Sequence, residues 1–179
     1  EIRSARIYAS ALGLYELTLN GKKIGDQFLA PGWTDYNQRI QSQTYDVTAL
    51  VRQGPRALGA ALGEGWFAGK VGLNWKRVYG DTLALIAKVK ILYADGAEEW
   101  FATNPQWQSA PGPRLLDDLQ DGETYDARLE QPGWSTPAFD ASRWTPVRVV
   151  AADSAKLVPQ PDEPVRATAI LTAKQVTTP

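Results

Sequence analysis

The stretch Tyr15-Glu-Leu-Thr-Leu-Asn-Gly-Lys-Lys-Ile-Gly25 decides the fold class. Tyr15, Leu17 and Leu19 alternate with Glu16 and Thr18, the period of a strand with one face buried. Asn20-Gly21 follows directly, and Asn-Gly tolerates the positive φ that both central positions of a type I′ hairpin turn require. Lys22 to Gly25 is then the returning strand. Working outward, Ala5 to Ser10 alternates moderately and Gln41 to Tyr45 is a further strand. Asp46 to Gly54 reads as a short helical turn, with Asp46 at its N-cap and Gly54 at its end.

Downstream, Ala57 to Gly63 reads as a buried strand of small and apolar residues. Thr82 to Tyr93 carries the strongest strand pattern and closes on Ala94-Asp-Gly96, with Glu98 to Thr103 returning. Trp107 to Ala110, Asp126 to Glu130 and Val147 to Val150 are shorter strand candidates. Between these lies a long irregular segment, Glu64 to Asp81, with four Gly and two Trp; loops of that length in compact domains often carry function. No long amphipathic helix, internal repeat or βαβ alternation is present. The fold expected is all-β. From Ala151 the character changes: Pro159, Pro161 and Pro164 punctuate a polar stretch, and Val165 to Val176 alternates weakly. Residues 1–150 are therefore expected to form the domain, and 151–179 a linker with a strand leading towards a neighbour.

Composition narrows the chemistry. The 179 residues suffice for one domain with a real core. Nineteen Lys and Arg against twenty Asp and Glu give a net charge of −1, which argues against electrostatic binding of nucleic acid or an anionic membrane. The apolar runs fall far short of the roughly 20 residues that span a bilayer. No signal peptide is visible, and the start at Glu1 without Met points to a processed or excised segment whose compartment is unreadable. Without Cys there are no disulfides or thiolate sites, and without His there is no Ser-His-Asp triad and little transition-metal chemistry. Any metal should be a hard, oxygen-liking cation such as calcium, although nothing requires one. Seven Trp and seven Tyr against four Phe suit both a sandwich core and a surface that stacks on pyranose rings.

Three groups of residues could carry function. In Pro31-Gly-Trp-Thr-Asp-Tyr36, Trp33 or Tyr36 could stack on a sugar while Asp35 or Asn37 accepts its hydroxyl protons. Equally, Trp33 and Tyr36 could plug one end of a sandwich while Asp35 caps backbone amides. In Glu64-Gly-Trp-Phe-Ala-Gly-Lys70 and its continuation to Asp81, Trp66, Asn74 and Trp75 are ligand candidates. Trp75 has no apolar periodicity around it and is expected to be exposed, and an interdomain contact is the competing role. The third group, Leu116 to Arg128, holds Asp117, Asp118, Asp121, Glu123 and Asp126. Its spacing does not match the roughly 12-residue EF-hand loop. Asp121 or Glu123 could still hold calcium with backbone carbonyls, or bind a sugar; the alternative is a tight turn with structural ion pairs.

The segments Leu29-Ala-Pro-Gly-Trp-Thr-Asp-Tyr-Asn-Gln-Arg39, Gln43-Thr-Tyr-Asp-Val47, Glu64-Gly-Trp-Phe-Ala-Gly69 and Asp121-Gly-Glu-Thr-Tyr-Asp-Ala-Arg128 occur in this order. Together they resemble the N-terminal β-sandwich domain of bacterial α-L-rhamnosidases, glycoside hydrolase family seventy-eight, over about residues 5 to 150. Gly133-Trp-Ser135 and Phe139 to Trp144 are similar to motifs of jelly-roll accessory domains in glycosidases. The resemblance implies a jelly-roll, galactose-binding-domain-like sandwich without catalytic residues of its own. It also implies a parent that hydrolyses terminal α-L-rhamnose with inversion, using acids on a helical barrel elsewhere. The expected partners are a rhamnose-containing glycan or glycoside and neighbouring domains of the same enzyme. A purely structural brace for the barrel, and the N-terminal sandwich of another glycosidase such as a β-galactosidase-like enzyme, are the rival readings.

Overall fold

The computed structural model describes residues 1–51, 54–151, 153–175 and 177. Strands β1 (Ile2–Leu12) and β2 (Leu14–Leu19) are followed by β3 (Lys22–Lys23), β4 (Gln27–Phe28), β5 (Ile40–Asp46) and β6 (Leu58–Gly63). One helical turn, α1 (Gly65–Ala68), precedes β7 (Lys70–Val71) and β8 (Trp75–Lys76). The long β9 (Ala84–Tyr93) leads to β10 (Glu98–Ala102), β11 (Gln108–Ser109), β12 (Arg114–Asp118) and β13 (Gly122–Tyr125). The remainder adds β14 (Thr145–Pro146), β15 (Leu157–Pro159) and β16 (Val165–Arg166).

A five-stranded sheet, ordered β10-β9-β1-β5-β15, faces a three-stranded one, β3-β2-β6, in a sandwich-like all-β arrangement. A single residue, Gly13, carries the chain from one sheet to the other. Its φ of +110° and the Gly63 carbonyl oxygen, 2.4 Å from where a Cβ would sit, leave room only for glycine. The inner face of β1 presents Ala5, Ile7, Ala9 and Ala11, all buried. These small side chains let Tyr15, Leu17 and Leu19 of β2 fill the space between the layers, with Ile24, Tyr45, Val47, Ala87 and Ile91 completing the core. Each large aliphatic side chain so buried contributes about 1.5–3 kcal/mol.

A polar line crosses this core. The Tyr45 hydroxyl donates to that of Tyr15 at 3.1 Å, and the Tyr15 hydroxyl donates to Gln43 Oε1 at 2.6 Å. Gln43 Nε2 reaches the Pro31 carbonyl at 3.1 Å and Gln160 Oε1 at 3.0 Å. Burial pushes both phenols above their ordinary range.

The Asn20-Gly21 turn has φ of +52° and +79°, as the hairpin reading requires, and Leu19 pairs with Lys22 across it. Other expectations need correcting. Asp46 caps Thr48 N through Oδ1, but the expected helix is a single turn in which Leu50 and Val51 donate to the Val47 carbonyl. Gln53 and the residue before it lie outside the described residues. β6 is the outer strand of its sheet rather than a buried one, with Leu62 exposed.

The segment Glu64 to Asp81 is ordered into α1 and the β7–β8 hairpin. Asp126 to Glu130 is a 3-10 turn, because Asp126 Oδ1 accepts from Arg128 N and competes with ladder pairing. Val147 to Val150 forms no strand: the bond that ties it to the segment leading into β11 is Val147 N to the Trp107 carbonyl at 3.0 Å, just beyond the pair of Pro146 with Gln108. Beyond residue 150, β15 runs parallel to β5 and β16 pairs with β4, so part of this segment hydrogen-bonds back onto the sandwich.

Candidate functional site

The loop after β4 and the segment around α1 meet at one end of the sandwich. Tyr36 is buried and donates to the Gly32 carbonyl at 2.9 Å. It packs edge-on against Phe67, with ring centroids 5.4 Å apart, and lies 5.1 Å from Tyr79. Burial raises the Tyr36 phenol, with Tyr79 adding to the shift, so the Tyr36 hydroxyl stays a neutral donor. Tyr36 therefore plugs the sandwich end, together with Ala68, Leu12, Ile40 and Leu83.

Trp33 sits above this plug. Its ring is stacked on Trp66 at 6.2 Å between centroids and 4° between planes. Its indole Nε1 donates to the Tyr79 hydroxyl at 3.4 Å. The residue is nonetheless 52% exposed, so a fixed apolar surface faces solvent. Asp35 and Asn37 are exposed on the same loop. Asp35 Oδ1 accepts from Asn37 N at 3.0 Å and its carbonyl accepts from Gln38 and Arg39, a local turn that fixes the loop. Trp33 and Trp66 of the expected set are thus brought together, with Asp35 and Asn37 on the loop that carries Trp33. Tyr79, which tethers Trp33, was not among the candidates; its signal in the sequence was only proximity to Trp75.

Trp75 and Asn74 lie elsewhere, on the β7–β8 hairpin. Asn74 takes φ +74° in its turn and Trp75 is 67% exposed, as expected. Leu73 and Val78 beside it are exposed too, and no ring contact joins Trp75 to the Trp33 cluster among the described residues.

The acidic segment folds into the β12–β13 hairpin and braces the loop rather than opening onto it. Asp118 is buried and accepts from Lys70 N at 2.8 Å, Gln120 N at 2.8 Å and Asp121 N at 3.0 Å. Burial alone would raise its carboxyl, but these amides, with Lys76 adding to them, hold it below the ordinary range. Asp117 accepts from Glu64 N at 3.1 Å. Glu64 Oε2, shielded from solvent, has Lys76 Nζ at 3.1 Å as its ionic partner.

Asp121 Oδ1 meets Lys70 Nζ at 2.6 Å, and Glu123 Oε2 meets Arg114 Nε at 2.5 Å. Carboxylates already matched by cations make a poor calcium site. Among the described residues no group of three or more metal-ligating acids gathers. Nor is any helix among the described residues long and apolar enough to cross a membrane.

Comparison with known proteins agrees with this geometry. Residues 1–169 match the family model described as the alpha-L-rhamnosidase N-terminal domain. A relative from Streptomyces avermitilis named alpha-L-rhamnosidase is 48% identical across the whole chain, which spans 18% of that relative. The crystal structure of the Streptomyces avermitilis enzyme complexed with L-rhamnose superposes with a TM-score of 0.89 at 49% identity, over 93% of this chain and 16% of that one. The native enzyme from Aspergillus terreus gives a TM-score of 0.91 at 39% identity, over 94% of this chain and 20% of that one.

Proposed function

Because the chain belongs to the family of alpha-L-rhamnosidase N-terminal domains, we propose that it is a non-catalytic accessory domain that holds carbohydrate beside the catalytic part of a larger glycosidase. The larger enzyme hydrolyses terminal non-reducing α-L-rhamnose with inversion. One carboxyl group protonates the leaving oxygen and another activates water across a gap of roughly 6.5–9.5 Å, both outside this chain. Holding the glycan nearby raises the effective concentration of its cleavable ends. Residues 1–150 form the binding unit in this reading. Residues 151–179 lead towards the next domain, their exit path tied to the sandwich through β15 and β16.

The observation that carries the reading is the Trp33 surface. An indole half open to solvent, stacked on Trp66 and tethered by Tyr79, has already given up its rotamer freedom before a sugar arrives. Exposed Asp35 and Asn37 supply hydrogen-bonding groups on the same loop. The Streptomyces avermitilis relative was crystallised with L-rhamnose, which makes that sugar the first to test. Calorimetric titration of the chain with L-rhamnose should give saturable heat that Trp33→Ala abolishes. Absence of heat at millimolar sugar would contradict binding.

A second reading rests on Leu73, Trp75 and Val78, which are 88%, 67% and 48% exposed. Adjacent apolar side chains at such exposure suit burial against a neighbouring domain. In this reading the β7–β8 hairpin braces the catalytic barrel, and the two roles occupy different surfaces.

A further inference from the structure

The outer face of the five-stranded sheet carries a feature that the Trp33 surface does not explain. Side chains on alternate positions place Ser4, Arg6 and Tyr8 of β1 beside Leu92, Lys90 and Lys88 of β9, and Trp100 of β10 beside Lys90. Arg6 is directly opposite Lys90, and Lys88 lies one pleat further along. Like charges directly opposite on neighbouring strands destabilise a sheet. The acidic groups on this face are Asp46, opposite Arg6, and Glu98, which meets Lys90 Nζ at 2.5 Å. Arg3 and Lys88 form no ion pair among the described residues, whereas Arg6 acts on the Asp46 carboxylate opposite it. Lys88 Nζ and Lys90 Nζ lie 4.2 Å and 5.1 Å from the centroid of the Trp100 ring, which is 44% exposed. A shallow depression of about 350 Å³ opens among Arg3, Ser4, Arg6, Tyr8, Lys90 and Leu92.

We propose that this face binds an anionic glycan, one whose pyranose units carry carboxylates. The argument is charge complementarity on a flat support. The chain as a whole has a net charge of −1, yet four cations gather here against two acids, and Arg3 and Lys88 have no acidic partner among the described residues. A uronate carboxylate held by Arg6 and Lys88 offsets the repulsion between Arg6 and Lys90 with charge-assisted hydrogen bonds. Tyr8 and Trp100 flank those cations and offer apolar surface to the sugar ring. A row of residues along one face also suits a polymer, because successive sugars can engage successive positions.

The face is independent of the Trp33 surface, so failure of one role leaves the other standing. The test is titration of the chain with polygalacturonate oligomers, neutral dextran and poly-L-glutamate at low ionic strength. Saturable binding of polygalacturonate is expected, with dextran silent and polyglutamate at least about tenfold weaker. The double variant Arg6→Gln/Lys88→Gln, which alters only exposed charges, should weaken polygalacturonate binding by about tenfold, and Trp33→Ala should leave it unchanged. The proposal is overturned if polygalacturonate does not bind, or if the double variant binds it unchanged. Equal binding of polyglutamate also overturns it, since the face would then read charge alone and suit an acidic protein segment.

Discussion

Trp33 and Trp66 lie 33 positions apart in the chain, yet their indole planes are within 4° of parallel at 6.2 Å between centroids. Neither ring could hold this orientation alone. Trp33 is fixed through Tyr79 and the Asp35 turn, and Trp66 sits on α1, whose neighbouring loop is held by the β12–β13 hairpin. Stacking of this kind adds about 0.5–1.5 kcal/mol beyond the area buried. Trp66→Ala should therefore cost about 1 kcal/mol in thermal unfolding and weaken sugar binding by leaving Trp33 mobile, whereas Tyr79→Phe should weaken binding less.

Asp118 is where the acidic hairpin supports the loop. Asp118→Ala leaves the amides of Lys70, Gln120 and Asp121 without their acceptor, and is expected to destabilise the chain by about 2–4 kcal/mol. Limited proteolysis between Glu64 and Asp81 should then become faster than in the unaltered chain.

The same carboxylate sets an acid limit. Its folded pKa is depressed, so its contribution to stability is complete above the unfolded value of about 3.9 and is lost as pH falls through the folded value. Asp46, Asp126 and Asp140 are depressed as well: Asp46 and Asp126 by neighbouring side-chain and backbone donors, and Asp140 by the Ser142 backbone amide and its side chain. Melting temperature should hold steady at neutral pH and drop below about pH 4. Asp118→Asn should flatten part of that acid decline.

Gln43 joins the core to the Trp33 loop through the Pro31 carbonyl. Gln43→Leu leaves the Tyr15 hydroxyl only the longer bond to the Ala9 carbonyl and takes the donor from Pro31 and Gln160, and is expected to cost about 2–3 kcal/mol by chemical denaturation. Gly13→Ala, which forces a side chain against Gly63 at positive φ, should cost a comparable amount. Trp75→Ala, in contrast, removes an exposed side chain and should change stability by no more than about 0.5 kcal/mol.

Local patterns exposed much of the fold. The Asn20-Gly21 turn, the alternation of Tyr15 to Leu19 and the long apolar strand ending at Tyr93 are each fixed by short-range chemistry. The β12–β13 hairpin was hidden because Asp117, Asp118 and Asp121 look like solvated loop residues; only burial shows that Asp118 serves backbone amides. Val147 to Val150 misled in the opposite way, since β-branched residues favour a strand only where a partner strand is in reach. Of the candidate site, Trp33, Asp35 and Asn37 were legible as one loop. Their meeting with Trp66 and Tyr79 depends on long-range packing, which no local spacing encodes.

The central claim is that Trp33 meets the sugar. The most direct measurement follows the indole N–H signals of the seven tryptophans by NMR during titration with L-rhamnose, with assignments from single Trp→Phe variants. The account predicts that the Trp33 and Trp66 signals move together and saturate while Trp75 stays in place. Signals that stay fixed throughout, or a shift confined to Trp75, would contradict it.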